Sequence, residues 1–230
     1  MGVEPPPALL AFTTPPTHLP YPPYPPYTGL VGRKLLFFTA LLLATTGPTT
    51  AGFGATSPAF AGPTRVVDLG GKAVNPLAVP AGRKATVLVF ATTDCPISNR
   101  YAPEIQALAA KFQKHGIDFT LVYPVATDTA AAIGAHVKKF GYTIAAVRDT
   151  AQELVKHTGV QVTPEAAVIG AGGAVLYRGR IDDRYLEFGK DRQQPTERTL
   201  ERALEAIVHG KPVAVRETQA VGCFLSDLIK

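Results

Sequence analysis

Cys95 and Cys223 are the two cysteines of a 230-residue chain. They are too few for a disulfide scaffold or a four-thiolate metal site, but they suffice for one redox pair. Cys95 stands in TTDCPIS, where the apolar run 87–90 (VLVF) gives way to a polar bend and then to residues with helical spacing. A thiol delivered to a helix N-terminus meets unpaired amides that favour an anion, which lowers its pKa and makes it a better nucleophile. Asp94 opposes this, because an adjacent carboxylate disfavours a second negative charge. The sequence therefore points to a moderately activated Cys95 thiol. The alternative is a buried, inert cysteine, and the polar run Thr92-Thr93-Asp94 argues against it.

Other residues able to do chemistry are Thr163 with Pro164, the charged group Arg180, Asp182 and Asp183, and His136. In isolation Pro164 reads as a trans turn proline. The charged group reads as a solvated surface cluster. His136, on a helical stretch, reads as a polar-face residue or, beside the thiolates, as a metal ligand.

The elements that must position these residues follow from periodicity. A buried strand is expected over 86–90. A helix follows over 98–115, with Tyr101, Ile105, Leu108 and Phe112 at helical spacing and Gly116 ending it. Next come a strand over 117–123, a helix over 129–140 stopped at Gly141, a strand over 144–148, and a helix over 150–157 closed by Gly159. This alternation implies a mostly parallel sheet covered on both faces. Segments 64–69 and 74–79 form a leading hairpin about Gly70-Gly71. Segments 166–169 and 174–177 form a second hairpin, and 178–181 extends its second strand. A helix over 196–208 presents Leu200, Ala203, Leu204 and Ile207 on one face. The tail, 213–230, carries Cys223 in VGCFL.

Composition narrows the class. Hydrophobic residues make up 46% of the chain, compatible with one folded domain. The net charge of +5 comes from 23 basic and 18 acidic residues dispersed along the sequence, so no basic patch points to nucleic acid. Of the 21 prolines, 12 fall in residues 1–61. Residues 1–32, with the tract YPPYPPY, read as a leader that is disordered or not translated. Residues 33–61 order as Arg33-Lys34, the apolar run LLFFTALLLA and a closing Ala59-Phe60-Ala61, the pattern of a secretory signal. The folded domain is expected over 62–230, exported to the periplasm or cell envelope, with the membrane met only through the signal segment.

The order β-α-β then β-β-α, a cysteine at the first strand-to-helix junction and Val162-Thr163-Pro164 before the hairpin resemble the thioredoxin fold. Ala102-Pro103 ends eight residues past Cys95, as in the kinked active-site helix of thioredoxins, and Thr163-Pro164 matches their Thr-cis-Pro. Cys95 falls at the first thioredoxin cysteine position, and Ser98 occupies the second. Together, TDCPISNRYAPEI, VTPEA, YRGRIDDRY and VGC resemble the peroxiredoxin-like redoxins of the alkyl hydroperoxide reductase and thiol-specific antioxidant superfamily, over residues 64–230. Thr92 keeps the Thr-x-x-Cys of peroxiredoxins, whereas Leu88 stands where they carry a proline.

The resemblance implies an α/β, thioredoxin-like three-layer sandwich with a mixed central sheet. It places Thr163 and Pro164 against Cys95 and returns 178–183 toward it, where Arg180 could hold a thiolate or a peroxide oxygen. The expected activity is thiol-dependent oxidoreduction without a cofactor, by disulfide exchange or peroxide reduction. Cys95 would be the nucleophile, Cys223 a candidate resolving thiol, and a redox protein or a peroxide the partner. Two alternatives stay open. One is a Sco-like copper-handling protein, in which Asn99 replaces the second cysteine of that family. The other is a non-catalytic domain with a structural Cys95–Cys223 bond.

Overall fold

The computed structural model describes residues 65–225. The expected leader and secretory signal lie outside the described residues. The strands that build the central sheet are β1 (Val67–Asp68), β2 (Ala85–Phe90), β3 (Ile117–Tyr123), β4 (Ala145–Arg148), β6 (Glu165–Ile169) and β7 (Val175–Gly179), in spatial order β1-β4-β3-β2-β6-β7. Between β4 and β6 lies the two-residue β5 (Val162–Thr163), outside that sheet. The helices are α1 (Pro96–Arg100), α2 (Ala102–Gln113), α3 (Ala130–Lys139), α4 (Glu153–Thr158) and α5 (Thr199–Val208). β8 (Tyr185–Glu187) and β9 (Lys190–Asp191) form a separate hairpin, and β10 (Cys223–Phe224) pairs with β5. This is a mixed α/β, thioredoxin-like architecture. The sheet is less parallel than alternation implied: only β2, β3 and β4 run parallel, while β1, β6 and β7 pair antiparallel.

β2 is the spine, because all six of its residues are buried. Val87 and Val89 enter one cluster with Ile105, Leu108, Phe112, Ile133, Leu200 and Leu204. Leu88 and Phe90 enter the other, with Leu154, Val155, Ala167 and Ile169. Successive side chains of a strand point to opposite faces, so α2, α3 and α5 cover one face and α4 the other. A one-residue slip of β2 would exchange both sets, which fixes where Cys95 emerges beyond it.

Several boundaries move for local reasons. The helix expected over 98–115 begins at Pro96 and is interrupted at Tyr101, because Pro103 has no N–H to offer the carbonyl one turn back. The segment 74–79 forms no strand: beside the Val67–Ala73 bridge, Val74 N–H donates to Val66 at 3.0 Å. α5 starts at Thr199 and not at 196, since Thr196 and Glu197 give their amides to Asp183. α4 starts at Glu153 because Asp149 takes the turn before it: its carboxylate accepts from the amides of Glu153 (2.7 Å), Leu154 (2.9 Å) and Val155 (3.2 Å).

Burial pushes the Asp149 carboxyl up to about 6 against the pull of those three amides. The folded chain thus keeps a proton that an unfolded aspartate releases near 3.8. This group's contribution to stability is therefore greatest below about pH 4 and declines as pH rises through about 6. We expect Asp149→Ala to lower stability by about 2 kcal/mol, and Asp149→Asn to flatten the pH dependence between those limits; urea midpoints measured from pH 4 to 7 check both.

Candidate active site

Cys95 is the N-cap of α1, and its carbonyl accepts from the Asn99 amide at 3.0 Å. The loop that delivers it is tied down beforehand: Thr93 donates its hydroxyl (2.5 Å) and its amide (3.3 Å) to Asp128, whose own carbonyl receives Arg148 Nε. Although Asp94 and Pro96 on either side are exposed, Cys95 itself is 1% exposed. The polar run before it did not keep the thiol at the surface. Its Sγ makes no cap hydrogen bond and lies 3.1 Å from the Thr163 carbonyl oxygen. That oxygen would accept from a neutral Cys95 thiol and so favour the thiol, opposing the helix N-terminus. Thr163-Pro164 is a cis peptide, as the resemblance implied, and the Thr92 and Thr163 hydroxyls lie 3.3 Å apart beside the sulfur-bearing loop.

Cys223 reaches this place because the tail docks twice. Residues 216–218 first run beside the end of β7: Arg178 N–H donates to Arg216, Thr218 N–H donates to Arg178, and Thr218 Oγ1 meets Tyr177 Oη at 2.7 Å and accepts from the Arg180 amide at 3.1 Å. Gly179, at φ +142°, allows the approach, since a Cβ there would overlap Thr218. β10 then pairs antiparallel with β5, setting Cys223 opposite Thr163, and Leu225 N–H donates to Gln161 at 3.0 Å as its side chain enters the α4-side core. Gly222 makes the second close approach: a Cβ on it would fall 2.7 Å from the Thr163 carbonyl carbon. With Cα atoms 6.1 Å apart, Cys95 and Cys223 are joined in a disulfide.

The far end of α1 is also held by buried polar contacts. Asn99 Oδ1 lies 2.7 Å from His136 Nε2, and His136 Nδ1 lies 2.9 Å from Tyr123 Oη. His136 is therefore buried at 6% exposure and not on a polar face; burial lowers its pKa and favours the neutral ring. Tyr101 donates to Asp182 at 2.5 Å, and burial together with that carboxylate raises the Tyr101 pKa. Ser98, 2% exposed, has a buried hydroxyl with no hydrogen-bond partner.

Of the residues singled out from sequence, Cys95, Cys223, Thr92, Thr163 and Pro164 converge, with Ser98 on the first turn beside them. Asp182 meets the end of α1 through Tyr101 and accepts from the Arg184 amide at 2.9 Å. Arg180 and Asp183 turn elsewhere. Arg180 donates to Glu197 at 2.6 Å and to Thr199 at 3.4 Å, beside α5, and not to the Cys95 sulfur. Asp183 holds the approach to α5; desolvation raises its pKa, but bonds from Thr196 and Glu197 and the Arg192 charge outweigh that and bring it to about 2. Among the described residues no three His, Cys, Asp or Glu side chains gather as a metal site, and both ring nitrogens of His136 are engaged. Gly179, Gly222, Thr218 and the bonding of Asn99 to Tyr123 through His136 lie outside the candidates singled out from sequence. A glycine beside a cysteine in VGC was the one local signal of close backbone approach.

The structure resembles a hypothetical protein from Sinorhizobium meliloti at a TM-score of 0.58, 23% identical over 70% of this chain and 88% of that one. It also resembles an uncharacterized conserved protein from Geobacillus kaustophilus at 0.55, 23% identical over 62% of this chain and 76% of that one. A secreted disulfide oxidoreductase from Mycobacterium tuberculosis aligns at 0.42, 20% identical over 63% and 93% of the respective chains. No curated protein sequence matches the chain. The family model described as Redoxin matches residues 53–188, more than half of the sequence, and the chain belongs to that family.

Proposed function

We propose that this protein is an exported thiol oxidoreductase in which Cys95 and Cys223 cycle between dithiol and disulfide. The observation that carries this reading is the bond itself: two cysteines from distant parts of the chain meet beside the Thr163-Pro164 loop, at the start of α1. In the reduced protein the Cys95 thiolate attacks a disulfide of the substrate, one substrate thiolate departs, and a mixed disulfide forms on Cys95. The Cys223 thiolate then attacks Cys95 Sγ, the second substrate thiolate leaves, and the intramolecular bond closes. Substrate reaches Cys95 once the bond opens and β10, paired with β5 over two residues, lifts from it, while the Thr218 bonds keep the upstream tail docked.

Disulfide exchange is favoured over peroxide reduction, because the arginine that a peroxide oxygen would need is committed to Glu197 and Thr199. Export is supported by the signal pattern over 33–61 and by a bond that an oxidising compartment preserves. The leader over 1–32 and the redoxin domain over 62–230 complete the proposed organisation. Thr92 and Thr163 shape the enclosure around the sulfur, and Ser98 lies on its first-turn side.

Titration of the exported protein against glutathione, with peptide mapping, tests the reading. A reversible Cys95–Cys223 transition supports it, and a bond that resists strong dithiol reductant in the folded protein would assign the pair a structural role. Cys95→Ser should abolish exchange with a protein disulfide, whereas Cys223→Ser should accumulate the mixed disulfide on Cys95, visible by mass spectrometry. Gly222→Ala should lower the equilibrium constant for closing the bond about tenfold in the same titration, since its methyl group must displace the Thr163 carbonyl.

A further inference from the structure

The two sulfurs of the bond are unequal targets. Cys95 is 1% exposed and packed in the α2-side core, with the Thr163 carbonyl against its sulfur. Cys223 is partly exposed on an edge strand, followed by Phe224 at 55% exposure, and the chain leading to it over 211–222 contains no helix. A thiolate displaces one sulfur of a disulfide by approaching the other from the far side, so access decides which is attacked. The enclosure closes that approach at Cys95, and Cys223, half-buried against the same α2-side core, is the more accessible of the two.

A second observation concerns the departing sulfur. The Ser98 hydroxyl is buried and unpartnered in the disulfide state, three residues after Cys95 and on the same first turn. Leaving a buried hydroxyl unpaired is destabilising, so a partner that forms in another redox state of the protein would relieve it. While bonded, the Cys95 sulfur is held toward Cys223. Once released it is an anion at the N-cap of the turn that carries Ser98, where a hydroxyl can donate to it.

We infer that the disulfide is reduced from the Cys223 side, with Cys95 as the leaving group and Ser98 as the hydrogen-bond donor to the thiolate that remains on it. This rests on the redox-pair reading above and adds the identity of the donor-facing sulfur. The thiolate of a dithiol donor bonds to Cys223 Sγ, the Cys95–Cys223 bond breaks, and its electron pair departs on Cys95. The donor's second thiolate then attacks the donor sulfur of the mixed disulfide, and Cys223 leaves as a thiolate. The donor becomes a disulfide, and two electrons pass to the cysteine pair, followed by two protons. Each sulfur thereby has its own partner: Cys223 meets the donor, and Cys95 meets the substrate after the tail has been freed.

The test treats the oxidised protein with limiting glutathione, quenches with acid at the earliest times and maps the adduct. Glutathione on Cys223, in about tenfold excess over Cys95, is the expected result. Adduct on Cys95, or equal amounts on both, would overturn this inference and leave the redox pair intact. No adduct on either cysteine, with no reduction by excess dithiothreitol, would overturn both. For Ser98, the pH midpoint of Cys95 alkylation by iodoacetamide is measured in the Cys223→Ser protein. Adding Ser98→Ala should raise it by about one pH unit and Ser98→Thr should restore it. A midpoint that does not move with Ser98→Ala would remove Ser98 from the proposal.

Discussion

The short ladder between Val162–Thr163 and Cys223–Phe224 is the interaction on which the site depends. β5 lies outside the main sheet, so its backbone donors and acceptors need a partner of their own. The tail supplies one, and in the same register it sets Cys223 opposite Thr163, the residue whose carbonyl lies against the Cys95 sulfur. Two residues of pairing are weak by themselves. They hold because Leu225 is buried just beyond them, because Thr218 is bonded upstream, and because the cysteines are joined. Removing any of these supports weakens the others, since a loop that must close on itself repays its entropy only when several contacts form together.

The other half of the site is rigid for a different reason. α1 is a single short helix, too short to be stable alone, and its position comes from what brackets it. The Thr93–Asp128 bonds fix its start, while Asn99 to His136 and Tyr101 to Asp182 fix its end. The Tyr101–Asp182 bond is buried and the other two are part-buried, and polar groups so enclosed are stabilising only if paired, so together they specify one orientation of the turn that carries Cys95. Two buried oxygens near this bracket, Ser98 Oγ and Asp182 Oδ2, have no hydrogen-bond partner.

The charged segment after β7 shows how strand direction alone can mislead. β7 does return toward the end where Cys95 lies, but its last residues are taken up by the tail, and Gly179 bends the chain under Thr218. Arg180 and Asp183 then meet the approach to α5, where Glu197 and the Thr196 and Glu197 amides offer closer partners than a sulfur enclosed by Thr163. These two residues order the α5 connection, and Asp182 alone of the group reaches the helix that Cys95 caps.

The elements with a long or regular signal were legible in the sequence: the apolar run of β2, the span of β3, the Thr129-capped α3, and the hairpin of β6 and β7. Hydrophobic period and turn residues are local properties, and local properties survive in a one-dimensional reading. They also placed Cys95 at the strand-to-helix junction, and the redoxin-like motifs set Pro164 near it. Tertiary structure alone decided the rest. β5 and β10 are two residues each and have no period to detect, the β8–β9 hairpin exposes Leu186 and Phe188 against the usual pattern, and His136 is buried by partners on two other elements. That Cys223 reaches Cys95 depended on contacts between residues far apart in the chain, which are set by the shape of the folded body and leave no mark on the tail except the glycine that lets it come close.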